Sequence, residues 1–266
     1  MKRILPAKKI QIVTFTGLIF FMICSQSMAS GLFGPLQTVS REQGGLNTAI
    51  GYLYHEDTYK DGKSYKIEQN EIYTQAGYGA NNIWEVFARI GLSDMTMPGL
   101  FASSDHFVET SKDDFEENWK FFGSLGAKAF YPINAQYGIG AFLQGTYYAS
   151  NFSDTGSITS GGTPVRTEIK VKRLWDADLG IGFQDKLRCG TKLYAGPYLY
   201  YSDAKISQAS DLYGNDFGSK EYSVSNRSLV GAFAGADIPL RKGFRLNLEG
   251  QYADKFSFGA AVSYTY

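Results

Sequence analysis

The C-terminal stretch FSFGAAVSYTY, residues 256–266, alternates between two unlike sets of side chains. Every second residue from Phe256 to Tyr266 is apolar or aromatic, and the residues between them are small and mostly polar. Alternation with a period of two over this length predicts a β-strand whose two faces meet different surroundings.

The same alternation recurs in nine segments upstream. Between Trp84 and Leu92, for example, apolar side chains alternate with a second set that includes Glu85 and Arg89. We therefore predict an all-β chain of about ten antiparallel strands. The predicted strands are 46–55, 70–79, 83–92, 119–130, 137–148, 171–184, 192–201, 227–238, 244–252 and 256–266.

Two features leave eight strands as the alternative. Pro197 falls inside the seventh predicted strand, where it cannot donate a ladder hydrogen bond. The first strand has an ambiguous face assignment around Gly51, Tyr52 and Leu53.

Tyrosine and tryptophan collect at the ends of the apolar faces, which separates this chain from a soluble sandwich. Such aromatic girdles are typical of a band that faces lipid. Lipid offers no hydrogen-bond partner to the backbone groups at an open sheet edge. Strands of this kind must therefore close into a barrel. The girdle residues are Trp84, Trp119, Tyr131, Tyr137, Tyr147, Trp175, Tyr252 and Tyr266.

The predicted connections alternate in length. Short turns lie near 80–82, 131–136, 185–191 and 239–243, and long loops near 56–69, 93–118, 149–170 and 202–226. Short periplasmic turns and long outer loops are the rule for outer-membrane barrels. The connection near 253–255 departs from it, being an outer loop that is short.

The first 29 residues have the layout of a cleaved signal peptide, with a basic start, an apolar run and small residues up to Ala29. They hold four bases and no acid, so the remaining chain has 22 bases, 26 acids and a net charge of −4. This charge argues against a nucleic-acid partner. Residues 30–45 show no period and form either a periplasmic lead-in or a short plug, and residues 46–266 form the barrel.

These features resemble small bacterial outer-membrane β-barrels of the OmpA, OmpX and opacity-protein type. The resemblance is one of architecture and selects no subfamily. It implies an outer-membrane location and recognition of the last strand by the barrel-assembly machinery. We further expect a monomer in contact with outer-membrane lipid and lipopolysaccharide. The residues that match the assembly signal are Phe258, Val262, Tyr264 and Tyr266, with Ala260 between them.

The face opposite the apolar band carries five acids and five bases. Isolated charges inside a narrow barrel are costly, so the near-equal numbers predict a paired network and a mostly filled lumen. A narrow channel for ions or small solutes is the alternative. The inward charges on this assignment are Glu71, Glu85, Arg89, Lys120, Lys128, Asp176, Asp178, Arg227, Arg245 and Glu249.

The long loops are the predicted contacts for surface partners. Loop 93–118 is acidic and could meet divalent cations, although its spacing matches no calcium loop. Through such cations the loop could also contact anionic lipopolysaccharide. Arg166, Lys170, Lys172 and Arg173 fall near the outer membrane boundary, where they could meet lipid phosphates. Simple solvation is the alternative for both sets of charges. Two cysteines support neither a disulfide framework nor a zinc site, and we expect no cofactor.

Catalysis has weak support. The two histidines are His55 and His106, and Asp105 is a poor partner for His106 because adjacent strand residues face opposite ways. We expect a non-enzymatic protein that serves envelope structure or surface interaction. A rim hydrolase, omptin-like or lipid-modifying, is the third hypothesis after the channel.

Overall fold

The computed structural model describes residues 31–37, 45–61, 63–80, 83–102, 108–160, 163–212 and 215–266. The signal-peptide prediction for residues 1–29 lies outside these ranges. No helix in the described part of the chain is long and apolar enough to cross a membrane. The strands are β1 Gly45–Asp61, β2 Lys63–Ala80, β3 Trp84–Met97, β4 Val108–Thr110, β5 Phe115–Pro132, β6 Tyr137–Tyr148, β7 Phe152–Ser160, β8 Thr163–Lys186, β9 Lys192–Leu212, β10 Asn215–Asn226, β11 Val230–Pro239, β12 Phe244–Tyr252 and β13 Phe256–Thr265.

Ten of these strands form a closed antiparallel ring, in the order β1-β2-β3-β5-β6-β8-β9-β11-β12-β13. The ring closes where β13 pairs with β1, from Asn47 opposite Thr265 to Tyr54 opposite Phe258. The predicted barrel of about ten strands is therefore confirmed, and the alternative of eight is wrong. The other three strands, β4, β7 and β10, lie in the extracellular connections and were not predicted.

Pro197 is compatible with strand β9 because its missing donor falls at a break in the ladder. The β8–β9 pairs run from Gly180 opposite Tyr198 to Phe183 opposite Ala195, with none recorded between them. At this break the two backbones come close, since a Cβ added to Gly196 would lie 2.0 Å from the carbonyl oxygen of Ile181. A glycine is required there, and it stands directly before the proline.

The outer face of the ring is a continuous apolar surface, which we call the lipid belt. Its most exposed members include Leu125, Ile90 and Phe121, at 72%, 70% and 67% of their maximal exposure. In water such side chains would be unfavourable by roughly 1.5–3 kcal/mol each compared with burial. A closed sheet with this exterior crosses a membrane.

Three of the four predicted long loops are mostly strand, so their assignment as loops is wrong, whereas loop 93–118 keeps non-strand residues at 98–102 and 111–114. Strands β1 and β2 pair out to Asp61 and Lys63, so the described residues of 56–69 are strand. Strand β8 has 24 residues, about twice the 9–11 needed to cross a bilayer. Several barrel strands thus continue beyond the lipid belt. We call these outer strand ends, together with β4, β7 and β10, the extracellular extension.

The extension escaped prediction because its polarity is inverted. In the membrane-spanning part of the barrel, apolar side chains face outward to lipid. In the extracellular extension, apolar side chains face inward, and lysines such as Lys66 and Lys205 face outward to water. A search for apolar outer faces therefore ends at the membrane boundary. The buried apolar residues of the extension include Tyr59, Ile67, Met95, Phe115, Phe152, Val171, Ile206 and Val224.

Strand β10 completes the wall of the extension. It pairs with β9 along most of its length and with β1 at Tyr59 opposite Asn226. It thereby spans the gap above β11, β12 and β13, which end at the lipid belt. Asn226 stabilises this junction, since its side chain accepts a hydrogen bond from the Ser202 amide at 3.0 Å and donates one to the Tyr200 carbonyl at 3.1 Å.

Candidate functional site

The lumen holds most of the charges that the alternation placed inside. Arg245 is part-buried, with 18% of its side chain exposed. The structure does not place Arg227 or Lys120 with them. The buried members of the predicted set are Glu71, Glu85, Arg89, Lys128, Asp176, Asp178 and Glu249.

Arg227 and Lys120 are less buried than the other predicted lumen charges, for local reasons. Strand β11 begins only at Val230, so Arg227 belongs to the preceding turn, where 53% of its side chain is exposed and Asp254 lies 3.8 Å away. Lys120 follows a register shift between β3 and β5 and forms an ion pair with Glu117 at 3.4 Å. Both bases therefore lie at the rim of the barrel.

We predicted that the lumen carboxylates pair with bases, but several of them accept hydrogen bonds from uncharged side chains instead. The Tyr148 hydroxyl donates to Glu71 at 2.6 Å, and the Asn47 amide donates to Glu85 at 3.2 Å. An acid–base pair of the predicted kind joins Arg245 to Asp237 at 2.6 Å. Tyrosine and amide side chains thus stabilise the buried carboxylates, as the bases do.

A segment of the chain itself occupies the lumen. Residues 31–37, which we call the plug, lie inside the ring, and Leu32, Phe33 and Leu36 are at most 1% exposed. Residues 30–45 were predicted to form either a periplasmic lead-in or a short plug. Their described part, residues 31–37, lies within the barrel as a plug would. Nothing in the spacing of SGLFGPLQ indicated this, because the segment has no period of its own.

Glu249 binds the plug through both oxygens of its carboxylate. The amides of Phe33 and Gly34 donate to Oε1 at 2.8 Å and to Oε2 at 2.7 Å. The hydroxyl of Tyr194 and the amide of Gln251 donate to the same carboxylate, at 2.8 and 2.6 Å. Gly34 has a φ of 70°, a left-handed conformation that suits glycine. Four hydrogen bonds therefore hold a buried negative charge in place.

Three further side chains bind the carbonyl groups of the plug. Arg89 donates to the Leu32 carbonyl, Lys128 to that of Pro35 at 3.3 Å, and Gln251 to that of Gly31 at 2.6 Å. A buried backbone group without a partner is costly. These lumen side chains therefore serve an extended peptide in the way that a neighbouring strand would.

The Phe33 side chain packs among aromatic rings at the centre of the barrel. Its ring centroid lies 4.1 Å from that of Phe142, 5.0 Å from Tyr198 and 5.3 Å from Phe233. Aromatic pairs at these separations are stabilising beyond the area they bury. The plug is thus held by packing as well as by hydrogen bonds.

Inward rings fit into the narrow barrel because glycines stand opposite them. Phe87 pairs across strands with Gly126, where an added Cβ would lie 2.2 Å from the ring. Phe142 pairs with Gly180 in the same way, with an added Cβ at 2.4 Å. Glycines on the inner face thus make room for the bulky inward rings at these positions.

At the periplasmic end, an open recess of about 220 Å³ lies beneath the plug. Gln37 and Gln184 line it, and the Gln37 amide donates to the Gln184 side chain at 3.1 Å. The recess is also bordered by Lys186 and by the turn that follows Phe130. Gln37, the last residue of the plug, thus forms part of its boundary.

The residues considered for catalysis and cation binding are not assembled into a site in the described ranges. His55 is 2% exposed, inside the barrel. Asp105 and His106 lie outside the described residues. No group of three or more His, Cys, Asp or Glu residues with metal-binding geometry occurs in the described part. In the acidic loop, Glu117 accepts a hydrogen bond from the Ser153 amide at 2.8 Å and so joins β5 to β7.

No protein-family model and no curated protein matches the chain. Its structure is similar to the translocator domain of the autotransporter NalP from Neisseria meningitidis, at 12% identity and a TM-score of 0.42, covering 97% of this chain and 96% of that one. The outer membrane protease OmpT from Escherichia coli is 14% identical, with a TM-score of 0.43, covering 84% and 95%. The Ralstonia pickettii toluene transporter TbuX is 9% identical, with a TM-score of 0.44, covering 86% and 90%.

At these values none of the three assigns an activity to this chain. The closed ring, the lipid belt and the aromatic girdles identify the molecule as a small outer-membrane β-barrel. Its location is accordingly the bacterial outer membrane.

Proposed function

We propose that this protein is a non-enzymatic outer-membrane barrel whose lumen is closed by its own N-terminal segment and which serves the envelope through its extracellular extension. The observation that carries the proposal is the plug, whose backbone and side chains fill the ring from Leu32 to Leu36. We infer that a peptide bound in the lumen in this way blocks the passage of solutes. Function then belongs to the outer surface.

The extension supports a role in surface interaction. Its strands are packed around a buried apolar core, so they form a rigid projection. Its outer face carries charges of both signs, such as Lys66 with Glu68 at 2.6 Å and Lys112 with Asp154. A rigid, polar, strand-built surface outside the membrane is suited to binding a partner or to contact with neighbouring envelope components.

Planar-bilayer recording of the intact, refolded chain tests the proposal. We expect no steady current from a folded, heat-modifiable barrel, and no hydrolysis of peptide or lipid substrates. Steady, ion-selective steps from the intact chain would favour the channel instead. Hydrolysis abolished by His55→Ala would favour the rim enzyme.

Arg89→Glu distinguishes a filled lumen from a conducting one. Arg89 donates to Gln75 at 2.7 Å and to Gln144 at 2.8 Å, as well as to the plug. Reversing its charge should reduce the free energy of unfolding by about 3 kcal/mol or more, because buried bonds to a charged group are lost. Urea titration of refolded protein measures this, with Arg241→Glu in the exposed turn after β11 as control. An unchanged stability together with altered ion selectivity would contradict the filled lumen.

Deletion of Tyr266 tests the assembly signal at the end of β13. Phe258, Val262, Tyr264 and Tyr266 all lie on the outward face of the barrel. Tyr266 is 63% exposed, so its loss should change refolding in vitro little and lower the amount of folded barrel in cells several-fold. Tyr131→Ala is the control, since that girdle tyrosine is 69% exposed and lies in β5. Normal assembly without Tyr266 would contradict its role as a signal.

A further inference from the structure

A basic cluster lies on the outer face of the extracellular extension, directly above the lipid belt. Lys172 and Arg173 in β8 come just before Trp175, and Lys205 in β9 follows Tyr201. The rings of Trp175 and Tyr201 are 5.4 Å apart and exposed, and they mark the boundary of the apolar surface. The cluster is therefore at the depth where the headgroups of the outer leaflet lie.

The two lysines share a single carboxylate. Lys172 and Lys205 stand directly opposite each other, an arrangement that is unfavourable for like charges. Glu221 in β10 lies 3.2 Å from Lys172 and 3.4 Å from Lys205. The hydrogen bonds from Lys172 and then Lys205 lower the pKa of Glu221, so it is a carboxylate that offsets one of two charges. Within the described ranges, Glu221 is thus the only ion-pair partner of both lysines.

Arg173 adds a second positive charge and a strained backbone. Its φ is 53°, at the register shift between Lys172 and Trp175. Residues other than glycine rarely adopt this conformation, and it persists where something else maintains it. The guanidinium is exposed and forms no ion pair within the described ranges. The described part of the chain thus presents a strained, exposed arginine without an ion pair.

The other charges nearby do not occupy Arg173. Lys170 forms an ion pair with Glu168 at 2.9 Å. Asp203 lies opposite Trp175, on the membrane side of Lys205. The three bases therefore form a group with two acids, Glu221 between the lysines and Asp203 on the membrane side, which leaves one net positive charge next to two aromatic rings that face lipid.

We propose that Arg173, Lys172 and Lys205 bind a phosphate group of the lipid in the outer leaflet, which in this membrane is lipopolysaccharide. A planar guanidinium and two ammonium groups suit phosphate oxygens, and the rings of Trp175 and Tyr201 suit the acyl chains below them. The proposal concerns the outer face of the barrel and does not depend on a closed lumen. A conducting barrel would leave it unaffected.

Arg173→Gly separates binding from structure. Glycine accepts a positive φ without strain, so this variant should refold as well as the parent or better. Diphosphorylated lipid A is the probe, titrated into detergent micelles that hold the refolded barrel, with bound lipid counted by native mass spectrometry. We expect the affinity to fall roughly tenfold, in line with the loss of a charge-assisted hydrogen bond.

Lys242→Gly is the matched control. Lys242 also has a positive φ, of 57°, but lies in the periplasmic turn between β11 and β12. The substitution removes the same charge and relieves the same strain at the other end of the barrel. It should leave lipid A binding unchanged.

Glu221→Gln provides a change in the opposite direction. Removing the carboxylate that competes with phosphate should strengthen lipid A binding several-fold, an effect that a purely structural role for the cluster would not give. Lipid A without its phosphates, and inorganic phosphate alone, should each bind at least about tenfold more weakly, since one lacks the charge and the other the acyl chains. Equal binding by Arg173→Gly and the parent, or binding indifferent to the lipid phosphates, would overturn the proposal.

Discussion

A chain that lacks residues 31–37 is expected to fold as the same ten-stranded barrel and to conduct ions steadily, whereas we expect no steady current from the intact chain. The deletion removes Leu32, Phe33 and Leu36 from the centre of the lumen. It also leaves Glu249, Arg89 and Lys128 without the backbone groups that they bind. Water must then solvate these charges, because a buried charge without partners is too costly to persist. Planar-bilayer recording measures the result.

A peptide supplied in trans provides the control for this deletion. The peptide GLFGPLQ, which reproduces residues 31–37, should suppress the current of the shortened barrel, whereas a scrambled peptide of the same composition should not. Specific suppression would show that the hydrogen bonds of Glu249 and the packing of Phe33 hold the plug. A shortened barrel that is folded yet silent would mean that other residues close the lumen, and the plug would lose its assigned role.

Leu125→Arg is expected to lower the free energy of unfolding in lipid by roughly 2–4 kcal/mol. Leu125 lies on the outer face of β5, midway between the girdle residues Trp119 and Tyr131, and is 72% exposed. An arginine there would be placed near the bilayer midplane, far from either headgroup region. Urea titration of the barrel in phosphatidylcholine vesicles measures the difference.

Ile133→Arg is the matched control for depth. Ile133 is also exposed, at 55%, but lies in the turn after β5, beyond the girdle. The same change there should cost only about 0–1 kcal/mol. Equal effects at the two positions would show that the position of the lipid belt is wrong.

The sequence by itself determined the membrane-spanning part of this protein. Every strand that faces lipid needs apolar side chains on its outer face. Each strand therefore shows the same local alternation of side chains, as between Trp84 and Leu92 in β3 and between Phe256 and Tyr266 at the end of the chain. Ten strands, the inward or outward direction of their side chains, and the aromatic girdles could all be predicted from a period of two. Even Pro197, which argued against β9, proved compatible with it.

The extracellular extension could be recognised only in three dimensions. Above the membrane the outer surroundings change from lipid to water, so the apolar residues move to the inner face. Ile67 and Ile206 point inward there, and their strands looked like loops to a search for apolar exteriors. Strand β10 depends on partners in β9 and β1, the latter more than 160 positions away.

The candidate site was predicted in part. Alternation located the buried charges, but not the groups that stabilise them. Glu249 binds the amide of Phe33 across 216 positions of sequence, and Phe33 packs on rings from three separate strands. Residues 31–37 have no periodicity, because they meet a closed lumen on every side. Only the closed barrel creates that environment, and so only the tertiary structure decided what fills it.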